Sequence, residues 1–294
     1  MKKVGIIGNG FVGNSVAFGF SPTHEIRIHD KDPKRNLNTI EEVVDCDYIF
    51  VAVPTPMNSD GSISLRIVEQ ALQEISDKNK KRNNIVILKS TMIPGSTNNF
   101  IKQFPKLNIV FNPEFLTERT AKLDFLTQAR IILGGPKRLT KKVAKLFEER
   151  FMHCYLIETD AITAEMVKYM NNVFFASKVS LMNEFKQVCD EVGADWNIAL
   201  KGFAADQRIG DSHLNVPGPD GKLGFGGSCF PKDINAFISM AEGLEIDIPT
   251  IKGAWETNLN VRPEKDWEKL EGRAVVNSNK KSTNIINQPL VKNL

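Results

Sequence analysis

The chain has 294 residues, 41% hydrophobic and 25% charged, with a formal net charge of +3. That length leaves room for two domains, and the charge is too small to point to a nucleic acid or a membrane surface. No apolar run is long enough for a transmembrane helix, and the glycines at 5, 8, 10 and 13 interrupt what would otherwise resemble a signal peptide after Met1-Lys2-Lys3.

Val4–Ile7 reads as a buried strand, and Gly8–Gly13 as the turn into a helix that runs to about Phe20. Glu25–His29 is a second strand ending at Asp30. Thr39 is an N-cap with Glu42 as its capping-box partner, for a short helix ending near Asp45. Tyr48–Val53 is a strand, followed by a loop through Pro54-Thr55-Pro56 and Asn58-Ser59-Asp60-Gly61. Leu65–Ser76 is helical. Ile85–Leu88, Asn108–Phe111 and Arg130–Leu133 are strands, and His153–Ile157 is the last. Strands alternating with helices predict a doubly wound parallel Rossmann sheet, an α/β domain over residues 1–159.

The pattern then changes. Asp160–Val192 has no strong breaker and spaces Ile162, Met166, Met170, Phe174 and Leu181 at helical intervals, which predicts a long spine helix. Its apolar faces call for another surface, at least a homodimer. Helices over Trp196–Ala205, Asp233–Ala241 and Thr250–Asn260 complete an all-α domain at 160–276. The polar stretch 277–294 reads as a disordered tail.

The turn Gly8-Asn9-Gly10-Phe11-Val12-Gly13 has the dinucleotide spacing. Gly8 allows the tight turn, Gly10 lets a pyrophosphate approach, and Gly13 permits close helix–sheet packing. The helix start supplies N–H donors to the phosphates. Asp30, at the end of the second strand, holds ribose hydroxyls and favours NAD over NADP, although Arg35 nearby is able to accept a 2′-phosphate.

The second glycine-rich run is Gly224-Phe225-Gly226-Gly227-Ser228-Cys229-Phe230-Pro231-Lys232-Asp233. A thiol at the start of a helix, followed by a cation and a carboxylate, is a candidate nucleophile. An inert buried cysteine in a turn is the plain alternative. The four cysteines, Cys46, Cys154, Cys189 and Cys229, are too widely spaced for a metal site or a disulfide framework, which suits a reducing cytoplasm. Lys168 and Asn172 share one face of the spine helix. Asn112-Pro113-Glu114-Phe115-Leu116-Thr117-Glu118, Lys89-Ser90-Thr91 and Thr55 follow strands, at the carboxyl edge where open α/β sheets bind ligands.

These motifs, in this order, resemble the UDP-glucose/GDP-mannose dehydrogenase family from Lys3 to about Val275. Val53–Pro56 is among the matches, and Asp206-Gln207-Arg208-Ile209-Gly210 and Phe230–Asp233 look closer to its UDP-glucose branch. The resemblance implies NAD-dependent oxidation of the C6 alcohol of UDP-glucose to the carboxylate of UDP-glucuronate, for polysaccharide synthesis. It implies that Cys229 forms a thiohemiacetal and then a thioester. Lys168 would stabilise the oxyanion and Asn172 would fix the intermediate. Asp233 and Thr91 would hold the water, Glu118 would act as base, and Glu114 would move a proton or position water. Glu114, Phe115, Leu116, Lys168, Asn172, Phe225, Gly226 and Gly227 would border the substrate, with Arg208 reaching it across the dimer. Gly8, Gly10, Phe11, Val12, Gly13, Asp30, Arg35, Thr55, Thr91, Glu118 and Lys232 would bind NAD.

Typical members continue into a third, nucleotide-closing domain. This sequence stops soon after 267–273, which implies a short form whose lid comes from a separate partner or whose loop at 216–222 compensates in part. Two other readings stay open. One is a β-hydroxyacid dehydrogenase that makes a single hydride transfer and needs no cysteine. The other is an inactive binding or assembly subunit.

Overall fold

A computed structural model describes residues 2–277, except Arg82 and His153. The chain divides into two compact units. One comprises the residues up to Thr55 together with Ser64–Lys168, and the other Pro56–Ile63 together with the residues from Tyr169 onward.

The first unit is built on seven strands: β1 (Lys3–Ile7), β2 (Glu25–His29), β3 (Tyr48–Val51), β4 (Ile85–Leu88), β5 (Asn108–Phe111), β6 (Arg130–Gly134) and β7 (Tyr155–Thr159). Their order in the sheet is β2-β1-β3-β4-β5-β6-β7. Six helices connect them: α1 (Phe11–Phe20), α2 (Ile40–Val44), α3 (Arg66–Lys78), α4 (Ser96–Gln103), α5 (Ala121–Leu126) and α6 (Lys137–Glu148). Successive strand side chains point to opposite faces. Ile49, Val51, Val86 and Leu88 therefore join one apolar core, while Phe50, Ile85 and Ile87 join the other. Burial on both faces explains why these strands read as unbroken apolar runs rather than as alternating patterns.

Several sequence expectations shift. The sheet is parallel except where β5 meets β6, which pair antiparallel at Phe111↔Gly134. Only a loop and the short α5 separate those two strands, and antiparallel neighbours need no long crossover. The sequence pattern starts the last strand at His153, which lies outside the described residues; β7 begins at Tyr155 and runs on to Thr159. The sequence reading leaves out α4, α5 and α6. The Thr39 capping box forms with both of its arms.

The spine is α7 (Ala161–Glu191), whose residues up to Lys168 belong to the first unit and those from Tyr169 on to the second. In the second unit follow α8 (Trp196–Ala204), α9 (Phe230–Gly243), α10 (Pro249–Val261) and a 3-10 turn at Asp266–Lys269. Its apolar clusters are small. One gathers Ala176, Phe225, Ile234 and Ala254, and another Met182, Leu214 and Val216. Met57 bridges to Ile63 and to Val275, so the 56–63 segment is part of this unit. The expected tail lies outside the described residues apart from Asn277.

Candidate active site

The dinucleotide turn links β1 to α1. Gly8 has φ +94°, a left-handed conformation that favours glycine, and its N–H donates to His29 O at 2.9 Å. A Cβ on Gly13 would lie 1.9 Å from Gly8 O, so only glycine lets α1 start this close to β1. Gly10 differs: a Cβ there would meet nothing within 4 Å. It is also the N-cap of α1, with no side chain capping the helix and no acidic residue in the first turn. The first amides of a helix lack intrahelical acceptors. An uncapped helix start beside open space suits a pyrophosphate. Asp30 is tied to the same turn, with Oδ2 accepting from Asn9 N at 2.6 Å and Oδ1 from Asp32 N at 2.8 Å. Arg35 is exposed and pairs with Asp32 at 3.5 Å.

The ends of β3 and β4 are stitched together. Ser90 Oγ donates to Val53 O at 2.6 Å, and Thr55 Oγ1 to Thr91 O at 2.9 Å. Beyond β5 the chain turns through Asn112–Leu116 around a buried ionic group. Lys168 Nζ donates to Glu114 O at 2.6 Å and pairs with Glu114 Oε1 at 3.0 Å. Glu114 Oε2 accepts from Leu116 N at 2.8 Å. Burial pulls the Glu114 carboxyl upward, but Lys168 and the Leu116 N–H outweigh it and hold the group below the usual carboxylate range. Lys168 also lies 5.5 Å from the centre of the Phe115 ring. Lys89, at the end of β4, is buried and donates to Asn112 Oδ1 at 2.8 Å. Burial drives its ammonium down to about 7, with Glu114 opposing and Lys168 reinforcing that shift. Glu118 lies exposed in the turn that leads to α5.

One turn before Lys168 on α7, the buried Glu165 accepts from Gly95 N (2.6 Å), Thr97 N (2.8 Å) and Thr97 Oγ1 (2.6 Å). It caps α4, which has no capping side chain of its own. Burial raises this carboxyl to about 7 against the pull of those donors.

In the second unit, Cys229 is the half-buried N-cap of α9, with Pro231 in the first turn. Asp233 N donates to Cys229 O at 2.9 Å. The Asp233 carboxylate is buried, accepts from Asn172 Nδ2 at 2.6 Å through Oδ2, and pairs with Lys232 through Oδ1. The structure thus joins Asn172, Lys232 and Asp233 in one array at the start of the cysteine helix. Phe225 is buried beside Phe230 and Trp255. Arg208 lies on an exposed turn and binds Asp206 with two of its nitrogens, at 2.9 and 2.5 Å.

Two family models match, the NAD binding domain of the UDP-glucose/GDP-mannose dehydrogenase family over residues 28–151 and its central domain over 162–260. A UDP-glucose 6-dehydrogenase of Haloferax volcanii is 31% identical, over 92% of this chain and 72% of its own. The chain belongs to the UDP-glucose/GDP-mannose dehydrogenase family.

A UDP-glucose 6-dehydrogenase of Bacillus subtilis is 35% identical across 82% of this chain. The crystallised UDP-glucose dehydrogenase of Pyrobaculum islandicum superposes with a TM-score of 0.79 at 29% identity, covering 92% of this chain and 71% of that one. The chain spans 57% of the length of the Bacillus protein and about half that of other curated relatives. NAD is the cofactor of this dehydrogenase family, and the open, uncapped start of α1 fits it. No helix among the described residues is long and apolar enough to cross a membrane.

Sequence reasoning gave no role to four buried polar residues around these motifs. Lys89 and Glu165 support the first unit's edge. In the second unit Asn258 serves both backbone groups of Phe225, accepting from its N–H at 2.7 Å and donating to its C=O at 3.0 Å. Asn183 Oδ1 accepts from Gly224 N at 3.1 Å. The available signal was an asparagine set among apolar residues of a helix, as in Leu181-Met182-Asn183.

Proposed function

We propose that the chain oxidises the C6 alcohol of a nucleotide sugar, UDP-glucose to UDP-glucuronate, by four electrons with two equivalents of NAD. The observation that carries this reading is a cysteine at a helix N-cap with the Asn172–Asp233–Lys232 array beside it, in a family of NAD-dependent dehydrogenases. NAD, when bound, accepts the hydrides. The dinucleotide-binding domain is read as 1–159 and the helical domain as 160–276. Gly8, Gly10, Phe11, Val12, Gly13, Asp30 and Arg35 would hold the adenosine and phosphate end, and Thr55, Thr91, Glu118 and Lys232 the nicotinamide end.

In the chemistry assigned to the chain, loss of hydride and a proton from the alcohol leaves an aldehyde. The Cys229 sulfur adds to its carbon, giving a thiohemiacetal. Loss of a second hydride and of the hydroxyl proton converts this to a thioester, and water adds and displaces the sulfur, releasing carboxylate and a proton and returning the thiol. Lys168 would neutralise the oxyanion at each tetrahedral stage, with Asn172 steadying the intermediate. Asp233 and Thr91 would seat the water, and Glu118 would take its proton. Glu114 would move a proton or position the water; held ionised below the usual carboxylate range by Lys168, it is better suited to the second. Phe115, Leu116, Phe225, Gly226 and Gly227 would border the sugar nucleotide. Met170, Phe174, Leu181 and Val188 of α7 are exposed, which supports a homodimer through that helix with Arg208 reaching the partner's substrate. A cytoplasmic location is the remaining part of the proposal.

The test counts NADH formed per UDP-glucose consumed, with the chain and with Cys229→Ala. Two equivalents, lost or halted at the aldehyde in the variant, are expected. One equivalent, unaffected by the substitution, would replace this reading with a single-step hydroxyacid-type dehydrogenase. No turnover with NAD still bound would favour an assembly subunit.

A further inference from the structure

The second unit contains a buried guanidinium that the oxidation does not use. Arg262, just beyond α10, has a side chain only 3% exposed. Its Nη2 pairs with Asp220 Oδ2 at 2.7 Å, its Nε with Asp266 Oδ1 at 2.6 Å, and its Nη1 donates to Leu223 O at 3.2 Å. All three partners bear on the loop that leads to Cys229. Asp220 lies in the loop before it, and Leu223 is the residue that enters it. Asp266 Oδ2 accepts from Gly227 N at 3.4 Å. The loop also lies flush on the guanidinium, because a Cβ on Gly226 would come within 2.5 Å of both Arg262 Nη2 and Asp266 Oδ1. A parallel pair, Lys222 Nζ to Glu264 Oε1 at 2.8 Å, ties the same two segments at the surface.

From these contacts we infer that Arg262 is a positioning residue, which with Asp220 and Asp266 clamps the 220–227 loop and so fixes where Cys229 is presented. The planar fork of arginine suits this role, since three separate acceptors need fixed donor directions that a lysine cannot supply. The central-domain match ends at residue 260, so Arg262, Glu264 and Asp266 lie beyond it. The loop at 216–222 thereby gains a purpose, because it delivers Asp220 to the clamp.

The experiment is alkylation of the full chain by iodoacetamide, followed cysteine by cysteine by mass spectrometry, for Arg262→Met, Arg262→Lys, Asp266→Asn and Asp220→Asn. Releasing a locally held loop admits reagent to a half-buried thiol. Arg262→Met and Asp266→Asn are expected to raise the Cys229 rate by about tenfold, the factor that a loss of one or two kcal/mol of local stability produces. Cys46, buried in the first unit, keeps its rate. Arg262→Lys restores only part of the protection. NADH turnover falls in the same variants, by roughly tenfold or more if the thiol is misplaced by about an ångström. An unchanged Cys229 rate in a folded variant, or all cysteines speeding up together, overturns the clamp. If Arg262→Met does not fold, the two carboxylate variants, which keep the guanidinium, decide the matter. The turnover arm rests on the proposed oxidation, whereas the alkylation arm needs no sugar nucleotide. Failure of the unaltered chain to reduce NAD would therefore overturn that reading and leave the clamp standing.

Discussion

Two glycine-rich loops each lead into a helix here, and they are held in opposite ways. The dinucleotide loop, 8–13, is fixed by its own neighbourhood: Gly13 packs on Gly8, Gly8 bonds to the adjacent strand end, and Asn9 binds Asp30. The cysteine loop, 223–229, is held by side chains from distant stretches of chain, Asn183, Asn258, Arg262 and Asp266. An irregular backbone has no ladder partner, so its buried N–H and C=O groups need partners from elsewhere, here largely side chains. The contrast teaches that a loop serving a flexible, extended ligand needs only correct backbone shape. The loop that carries the proposed reactive thiol is anchored at several points.

The largest effect is expected where the first loop is tightest. Gly13→Ala should cost roughly 3 kcal/mol or more by overpacking against Gly8 O, read as a lowered midpoint in urea unfolding. If it is tolerated, the first loop is not set by close packing and the contrast weakens. Asn258→Ala should cost roughly 2 kcal/mol, because it leaves both backbone groups of Phe225 buried without that partner. Asn258→Asp separates the two bonds: it keeps an acceptor for the N–H but gives up the donor to the C=O.

The supports also differ in their response to pH. The amides of Asn183 and Asn258 do not titrate, whereas Lys89 beside the first unit's loops does. Its folded-state pKa is lowered to about 7 from an ordinary value of 10.5. The stability it contributes is therefore present above the unfolded value and is lost as pH falls from there through about 7. Relative to Lys89→Met, the parent should gain about 1 kcal/mol per pH unit between pH 7 and 10, measured by thermal melts of both proteins. Parallel curves would show that the buried ammonium does not titrate in this range. The smallest effect on folding is expected from Gly10→Ala, within roughly 1 kcal/mol of the parent because a methyl meets open space. That variant should still bind NAD more weakly in calorimetry, since the methyl fills the approach to the helix start. The same change at Gly226 meets Arg262 and should not be tolerated so easily.

What could be read from the sequence follows the same division. Strand runs buried on both faces, the Gly8–Gly13 spacing and the Thr39–Glu42 box are local patterns, and they place most of the first sheet and the turn from β1 into α1. The antiparallel β5–β6 pair was not legible, because strand direction depends on how the intervening 112–129 stretch folds back. Helix α4 is not legible because Ser96-Thr97-Asn98-Asn99 is a weak helix opening, stabilised from outside by Glu165. In the second unit, Cys229, Lys232 and Asp233 stood out as a motif. The residues that hold their loop did not, since an asparagine on one helix and an arginine after another carry no shared spacing.

The Glu165 cap has a consequence for the order of assembly. Helix Ser96–Gln103 borrows its N-terminal carboxylate from a residue made much later in synthesis. Until α7 emerges and docks, the amides of Gly95 and Thr97 have only solvent to satisfy them, and the turn gains little from closing. A nascent chain that stops before residue 165 is expected to exchange those two amide protons freely, and the chain that includes α7 to protect them. The helix bearing Lys168 would then be what completes the domain made before it.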